Sequence, residues 1–237
     1  MSQTETPTAG GYEVAAPKRA QSSRTAVEID QLVVEIISDS GEGAQRCGQS
    51  LGAIAARMGN GVWTVEIIPA EIRPPARSVA GASGNRIRLG SERVTNGGDE
   101  TDLVVAFNEQ VLLGRVRAGE LKPGCTILLE DKWRGDTDPR IAAAYAETVE
   151  QLREAGYRLV EIPMEAVCKK AVEDARRGKN MFALGLLCNI YSLDLDLARE
   201  QIALTFRKKS RAVIDSNVVL LEAGYAWAER HLDFRYR

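Results

Sequence analysis

The chain is poor in the residues on which several kinds of chemistry depend. His231 is its only histidine and stands near the C-terminus, flanked by charge, which argues against a histidine-centred triad or a zinc site built on several imidazoles. The four cysteines, Cys47, Cys125, Cys168 and Cys188, lie far apart in mostly apolar segments, with no C-x-x-C pair. They are expected as reduced core thiols rather than metal or cluster ligands. Aromatic residues make up 5% of the chain, Lys and Arg are scattered, and the formal net charge is -2. Neither a stacking platform nor a basic stripe is therefore available for nucleic acid. No run of about 18 apolar residues exists, so no helix is expected to span a bilayer, and the polar N-terminus lacks the apolar core of a signal peptide. The expectation is a cytoplasmic protein without nucleic-acid or membrane partners.

What is present is organised around Ser38-Asp39-Ser40-Gly41-Glu42-Gly43-Ala44-Gln45. Residues 32–37 before it are almost continuously apolar and β-branched, as in a strand buried on both faces of a parallel sheet. After it, Cys47, Leu51, Ile54, Ala55 and Met58 recur at helical spacing, and Gly59 and Gly61 offer a stop. A strand, a glycine turn and a helix N-terminus make a corner at which backbone amides can meet an anion. The spacing Gly41-x-Gly43-x-x-Arg46 lacks the third glycine of the dinucleotide fingerprint, no Lys-Ser/Thr follows as in a P-loop, and Glu42 repels a phosphate unless it turns away. A tight turn without a ligand fits the same pattern.

At 237 residues the chain can bury a sizeable core. Residues 1–30, rich in Ser, Thr, Ala, Pro and Gly, read as a mobile arm. A second strand is expected over residues 62–68. Pro69-Ala70-Glu71-Ile72-Arg73-Pro74-Pro75-Ala76-Arg77 then reads as a stiff exposed loop, because prolines forbid regular structure there. Residues 78–89 suggest an edge strand broken at Gly84-Asn85. Residues 102–107 form the clearest buried strand of the middle and deliver Asn108 at its carboxyl end, where open α/β sheets bind ligands. A helix over 109–117 leads through Lys122-Pro123-Gly124 to a strand over 125–129. Asp138 caps a helix begun by Pro139 and ended by Gly156, and a strand follows over 157–162. The remainder reads as helices over 166–176, 180–191, 197–206 and 211–230, the second of them apolar nearly all round. Alternating strands and helices predict an α/β, Rossmann-like, doubly wound and mostly parallel sheet with helices on both faces and a helical C-terminal segment.

Taken in order, Ser40-Gly41-Glu42-Gly43-Ala44-Gln45, Pro69-Ala70-Glu71-Ile72-Arg73-Pro74-Pro75, Ala106-Phe107-Asn108-Glu109, Lys122-Pro123-Gly124, Lys179-Asn180-Met181-Phe182-Ala183-Leu184-Gly185 and Glu222-Ala223-Gly224-Tyr225 resemble the gamma domain of 2-oxoacid:ferredoxin oxidoreductases. The likeness spans residues 33–228. Arg46 stands where that family commonly has glycine, and Pro74-Pro75 replaces a glycine pair. The arrangement is most similar to the gamma domain at the N-terminus of the alpha subunit in two-subunit enzymes, often specific for 2-oxoglutarate. The resemblance thus implies an arm over residues 1–30, a gamma domain over 31–230, and in 231–237 the start of a linker to a thiamine-binding domain.

It further implies oxidative decarboxylation of a 2-oxoacid to an acyl-CoA, with electrons passing to ferredoxin. Coenzyme A is the co-substrate that the gamma domain helps to bind. Thiamine diphosphate, Mg2+ and a [4Fe-4S] cluster belong to the assembled enzyme rather than this chain, on a beta subunit and the remaining alpha-subunit domains. No residue is a candidate for covalent catalysis. The residues expected to bind coenzyme A are Ser40, Gly41, Gly43, Gln45, Arg46, Glu71, Arg73, Asn108 and Asn180, with Arg77 as a second guanidinium near the pyrophosphate. A Rossmann-type NAD or flavin module and a purely structural docking domain are the alternatives.

Overall fold

The computed structural model describes residues 26–172 and 178–237. Among them the strands are β1 (Gln31–Asp39), β2 (Gly61–Ile67), β3 (Ala82–Gly90), β4 (Thr101–Ala106), β5 (Leu121–Glu130) and β6 (Arg158–Ile162). The helices are α1 (Ala44–Arg57), α2 (Glu109–Arg117), α3 (Pro139–Glu154), α4 (Met164–Ala171), α5 (Lys179–Ile190), α6 (Leu195–Thr205) and α7 (Arg211–His231). One sheet in the order β2-β3-β1-β4-β5-β6 carries them all. Pairs β1–β4, β4–β5 and β5–β6 are parallel, while β3 runs antiparallel to both of its neighbours.

The sheet is covered on both sides, as predicted. Val34 and Ile36 of β1 join Leu103, Val105 and Leu128 in a core with α1, α5 and α7. Ile37, Val104, Ala106, Ile127 and Leu129 face the other way and meet α2 and α3. The alternation along each strand sends successive side chains to opposite faces, so a central strand apolar at nearly every buried position serves two cores at once. Helix α5 is buried at every position because its apolar residues leave no polar face.

Three expectations need correction. Residues 78–89 do not form a broken edge strand: β3 is internal, and its register with β1 runs without interruption from Ala82 to Gly90. Gly84 does not break it, because a side chain there would meet the Ile36 carbonyl oxygen at 2.1 Å, and the missing side chain is what lets the two backbones pair so closely. The exposed edge is β2, whose Trp63 and Val65 reach solvent. Lys122-Pro123-Gly124 is not a lead-in loop but part of β5, where the pairing with β4 shifts between Thr101 and Leu103. The helix expected over 166–176 is α4, ending at Ala171; its expected last residues lie outside the described ones, as do residues 1–25 of the arm.

Residues 26–30 and 231–237 meet each other. The Val27 and Ile29 amides donate to the Arg235 and Arg237 carbonyls, each at 2.9 Å, and Tyr236 stacks on Tyr191.

Connectivity places the crevice. Helix α1 leads from β1 over β3 to β2, whereas α2 leads from β4 to β5. The loops after the adjacent strands β1 and β4 therefore diverge at their carboxyl ends, which is the switch point of a doubly wound sheet.

Candidate functional site at the carboxyl ends of the strands

The corner begins at Asp39. The Ser40 amide donates to the Gly81 carbonyl at 3.1 Å, and the Glu42 amide turns back to the Asp39 carbonyl at 3.3 Å. Gly43 caps α1 with φ +90°, a left-handed backbone open to glycine, and a side chain there would also sit 2.6 Å from Nδ2 of Asn180. The amides of Ala44, Gln45 and Arg46 have no acceptor among the described residues, and the first turn of α1 holds no acidic residue. These are the donors that carry the positive end of the helix dipole.

Glu42, the residue that opposes an anion here, is turned away and neutralised. Its Oε1 accepts from Lys179 Nζ at 2.7 Å and its Oε2 from the Asp39 amide at 3.3 Å. Lys179 has 5% of its side chain exposed and lies 5.0 Å above the centre of the Phe107 ring. A cation at the head of a fully buried helix thus closes one side of the corner.

The structure distributes the other expected residues. Gln45 reaches across to the end of β2, donating from Nε2 to the Ile67 carbonyl at 3.3 Å. Arg46 leans on Phe206, just past the end of α6, its guanidinium 5.3 Å from the ring centre. Asn180 is buried against Gly43, and its Oδ1 accepts from the Met181 amide. Asn108 caps α2: its Oδ1 accepts from the amides of Gln110 and Val111, each at 3.0 Å, while its buried Nδ2 has no partner among the described residues. Ser40 and Gly41 are exposed at the rim.

Glu71 and Arg73 are exposed on the proline loop and make no ion pair among the described residues, whereas Arg77 is turned inward. The Arg77 amide donates to Asp39 Oδ1 at 2.8 Å, its guanidinium forks onto both oxygens of Glu109, and it lies 4.1 Å over the Trp133 ring centre. Trp133 in turn donates from Nε1 to the Phe107 carbonyl at 3.1 Å. The loops after β1, β2 and β4 are joined through these contacts.

Two residues that sequence reasoning left out belong to the same corner. Glu130, at the carboxyl end of β5, is fully buried and accepts from the Lys132 amide at 3.1 Å and the Glu165 amide at 2.9 Å. Burial raises its pKa to about 7, against the opposing pull of Lys179 and of those amides. The signal for Glu130 was a carboxylate directly after the apolar run 127–129; for Lys179 it was a cation opening an apolar helix. The four cysteines are free and buried, and burial pushes the thiols of Cys125, Cys168 and Cys188 up to about 12.

Residues 34–227 match the family described as pyruvate ferredoxin/flavodoxin oxidoreductase. The chain belongs to this family. Among curated relatives it is 29% identical over 208 residues to the 2-oxoglutarate oxidoreductase subunit KorA of Mycobacterium tuberculosis, covering 85% of this chain and 31% of that one. It is 30% identical over 207 residues to the ketoisovalerate oxidoreductase subunit VorA of Methanothermobacter marburgensis, covering 87% and 38%. This family member therefore spans about a third of the length of the curated relatives it matches. Among solved structures, 2-oxoglutarate:ferredoxin oxidoreductase from Magnetococcus marinus, with 2-oxoglutarate, coenzyme A and succinyl-CoA bound, is 27% identical with a TM-score of 0.68 over 88% of this chain and 33% of that chain. Pyruvate oxidoreductase subunit PORC of Thermotoga maritima shares the fold at 17% identity with a TM-score of 0.58, covering 84% of this chain and 97% of its own. The keto/oxoacid ferredoxin oxidoreductase gamma subunit of Geobacter sulfurreducens does so at 14% and 0.59, with the same coverage.

Proposed function

We propose that this chain is the gamma module of a 2-oxoacid:ferredoxin oxidoreductase of the 2-oxoglutarate class, and that it helps to hold coenzyme A. The overall reaction converts 2-oxoglutarate, coenzyme A and oxidised ferredoxin to succinyl-CoA, CO2 and reduced ferredoxin. The observation that carries the reading is the neutralised corner: Lys179 takes up the charge of Glu42, so the free amides of Ala44, Gln45 and Arg46 face the rim without a competing carboxylate. Likeness to the Magnetococcus marinus enzyme, whose structure holds coenzyme A, supports the same class.

In this reading the amides at the head of α1 and the guanidinium of Arg73 meet the pyrophosphate, with Ser40, Gly41 and Gly43 allowing close approach. Gln45 and Glu71 line the rim, Arg46 adds positive charge beside it, and the amides of Asn108 and Asn180 serve carbonyl or ribose groups. Among the described residues no three of His, Cys, Asp and Glu gather and each cysteine is buried, which supports placing Mg2+ and an iron-sulfur cluster, with thiamine diphosphate, elsewhere in the assembled enzyme. A beta subunit and further alpha-subunit domains carry those groups, and ferredoxin is the electron acceptor. The chain's share is to bind and orient the thiol-bearing co-substrate. This suits a cytoplasmic enzyme; among the described residues no helix is long and apolar enough to cross a membrane.

Calorimetric titration of the assembled enzyme with coenzyme A, with NAD, and again with Arg73→Ala tests the assignment. Binding of coenzyme A but not NAD, weakened by the substitution, is expected. Binding of NAD in its place overturns the reading, and coenzyme A affinity indifferent to Arg73→Ala removes the proline loop from the site.

A further inference from the structure

The proline loop is attached to the domain in an unusual way. The bonds Ala70 amide to Ala80 carbonyl and Ser78 hydroxyl to Pro75 carbonyl, at 3.0 and 2.7 Å, shape the loop over residues 68–78 and its base. Beyond this base, where the Gly81 amide also donates to the Ser78 carbonyl at 3.0 Å, the polar and ring contacts that join the loop to β1, α2 and the segment after β5 run, among the described residues, through Arg77. Its amide holds Asp39 at the end of β1, its guanidinium holds Glu109 in the first turn of α2, and its flat face lies on Trp133 beyond β5.

Arg77 does this from a backbone that side chains rarely adopt, with φ +54°. A non-glycine residue stays in that region only when its surroundings over-determine it. Here they do: 12% of the Arg77 side chain is exposed and none of that of Glu109. A planar fork that also stacks on an indole suits arginine and not lysine. The three residues before Pro74, namely Glu71, Ile72 and Arg73, are free of such ties and exposed to solvent.

We propose that Arg77 is the positioning residue of the coenzyme A site. It does not meet the ligand; its clamp on Asp39, Glu109 and Trp133 presents Glu71 and Arg73 at the mouth of the crevice. The inference rests on the functional reading above. A loop already held in its bound arrangement spares the cost of ordering it when the ligand arrives.

The test uses the assembled enzyme with three substitutions, reading both steady-state kinetics and hydrogen exchange of residues 70–76. Arg77→Gly keeps the left-handed backbone and the amide bond to Asp39 but deletes the hold on Glu109 and Trp133, and Arg77→Lys keeps the charge but loses fork and stack. Both are expected to raise KM for coenzyme A by about tenfold, with the effect in KM rather than kcat, and to speed exchange of the loop. Arg73→Ala is expected to raise KM while leaving exchange slow. If Arg77→Gly matches the wild type in both readouts, the prolines and the residue 77 amide hold the loop without the guanidinium, and the proposal is wrong. Faster exchange with KM unmoved also overturns it, since the loop is then clamped but outside the site. A wild-type enzyme that binds no coenzyme A sinks the functional reading itself, a result separate from the exchange data.

Discussion

Lys179 and Glu42, 137 positions apart, form an ion pair of 2.7 Å in which 5% of the lysine side chain is exposed. Both Glu42 and Glu130 lean on this one ammonium, the first by direct contact and the second through the field that lowers its pKa against burial. Removing the cation leaves two carboxylates at one corner, one of them fully buried. Lys179→Met is therefore expected to cost about 1–3 kcal/mol, less than a fully buried pair, because Glu42 keeps 26% of its side chain exposed and Glu130 can take up a proton. Urea unfolding measures it, and adding Glu130→Gln should recover part of the loss; an equally large loss in the double variant contradicts the assigned coupling.

Glu130 makes stability depend on pH in a definite direction. Its pKa is about 7 in the folded chain, against an ordinary 4.5. Between those values the folded state holds a proton that the unfolded state has released, so stability falls as pH rises through the window and levels off above about 7. The wild type should thus lose more stability than Glu130→Gln between about pH 5 and pH 8 in parallel urea titrations. Parallel profiles for the two proteins are the contrary result.

Helices α5 and α7 touch backbone to backbone. A methyl group at Gly185 would lie 1.9 Å from the Leu221 carbonyl oxygen, and one at Gly224 2.0 Å from that of Phe182. Replacing glycine by alanine inside a helix ordinarily gains about 1 kcal/mol. Here Gly185→Ala and Gly224→Ala should each lose about 1–3 kcal/mol or more, because the helices must separate. The sign of the change in melting temperature decides it.

Glu35 lies in the middle of β1, fully buried, and receives Arg115 at 2.9 and 2.7 Å, with Arg86 at 3.4 Å and Glu120 bridging the two arginines. This network ties β1, β3 and α2 at the face that α2 covers. Arg115→Met should destabilise by about 3 kcal/mol, since it strips the buried carboxylate of its bidentate partner. Glu35→Leu in the same chain should restore much of that, as the charge no longer needs a partner; chemical denaturation of the single and double variants separates the two cases.

Much of this molecule is local and could be read from the chain. The Asp138 cap with Pro139 behind it starts α3, the almost continuously apolar run of residues 32–37 lies within β1, and the glycine turn at Gly41 and Gly43 connects β1 to α1. Each signal acts within a few residues, through capping bonds, periodicity or backbone freedom, so sequence alone determined these elements and the glycine corner between β1 and α1. Tertiary structure decided what depends on distant partners. Residues 82–90 alternate like an edge strand, yet become internal because β1 and β2 both offer hydrogen-bonding edges to them. Whether Glu42 repels or tolerates an anion depended on Lys179, and which loop arginine turns inward depended on Glu109 and Trp133. A side chain's charge is written in the sequence, but its effect is set by what the folded chain places within a few ångströms of it.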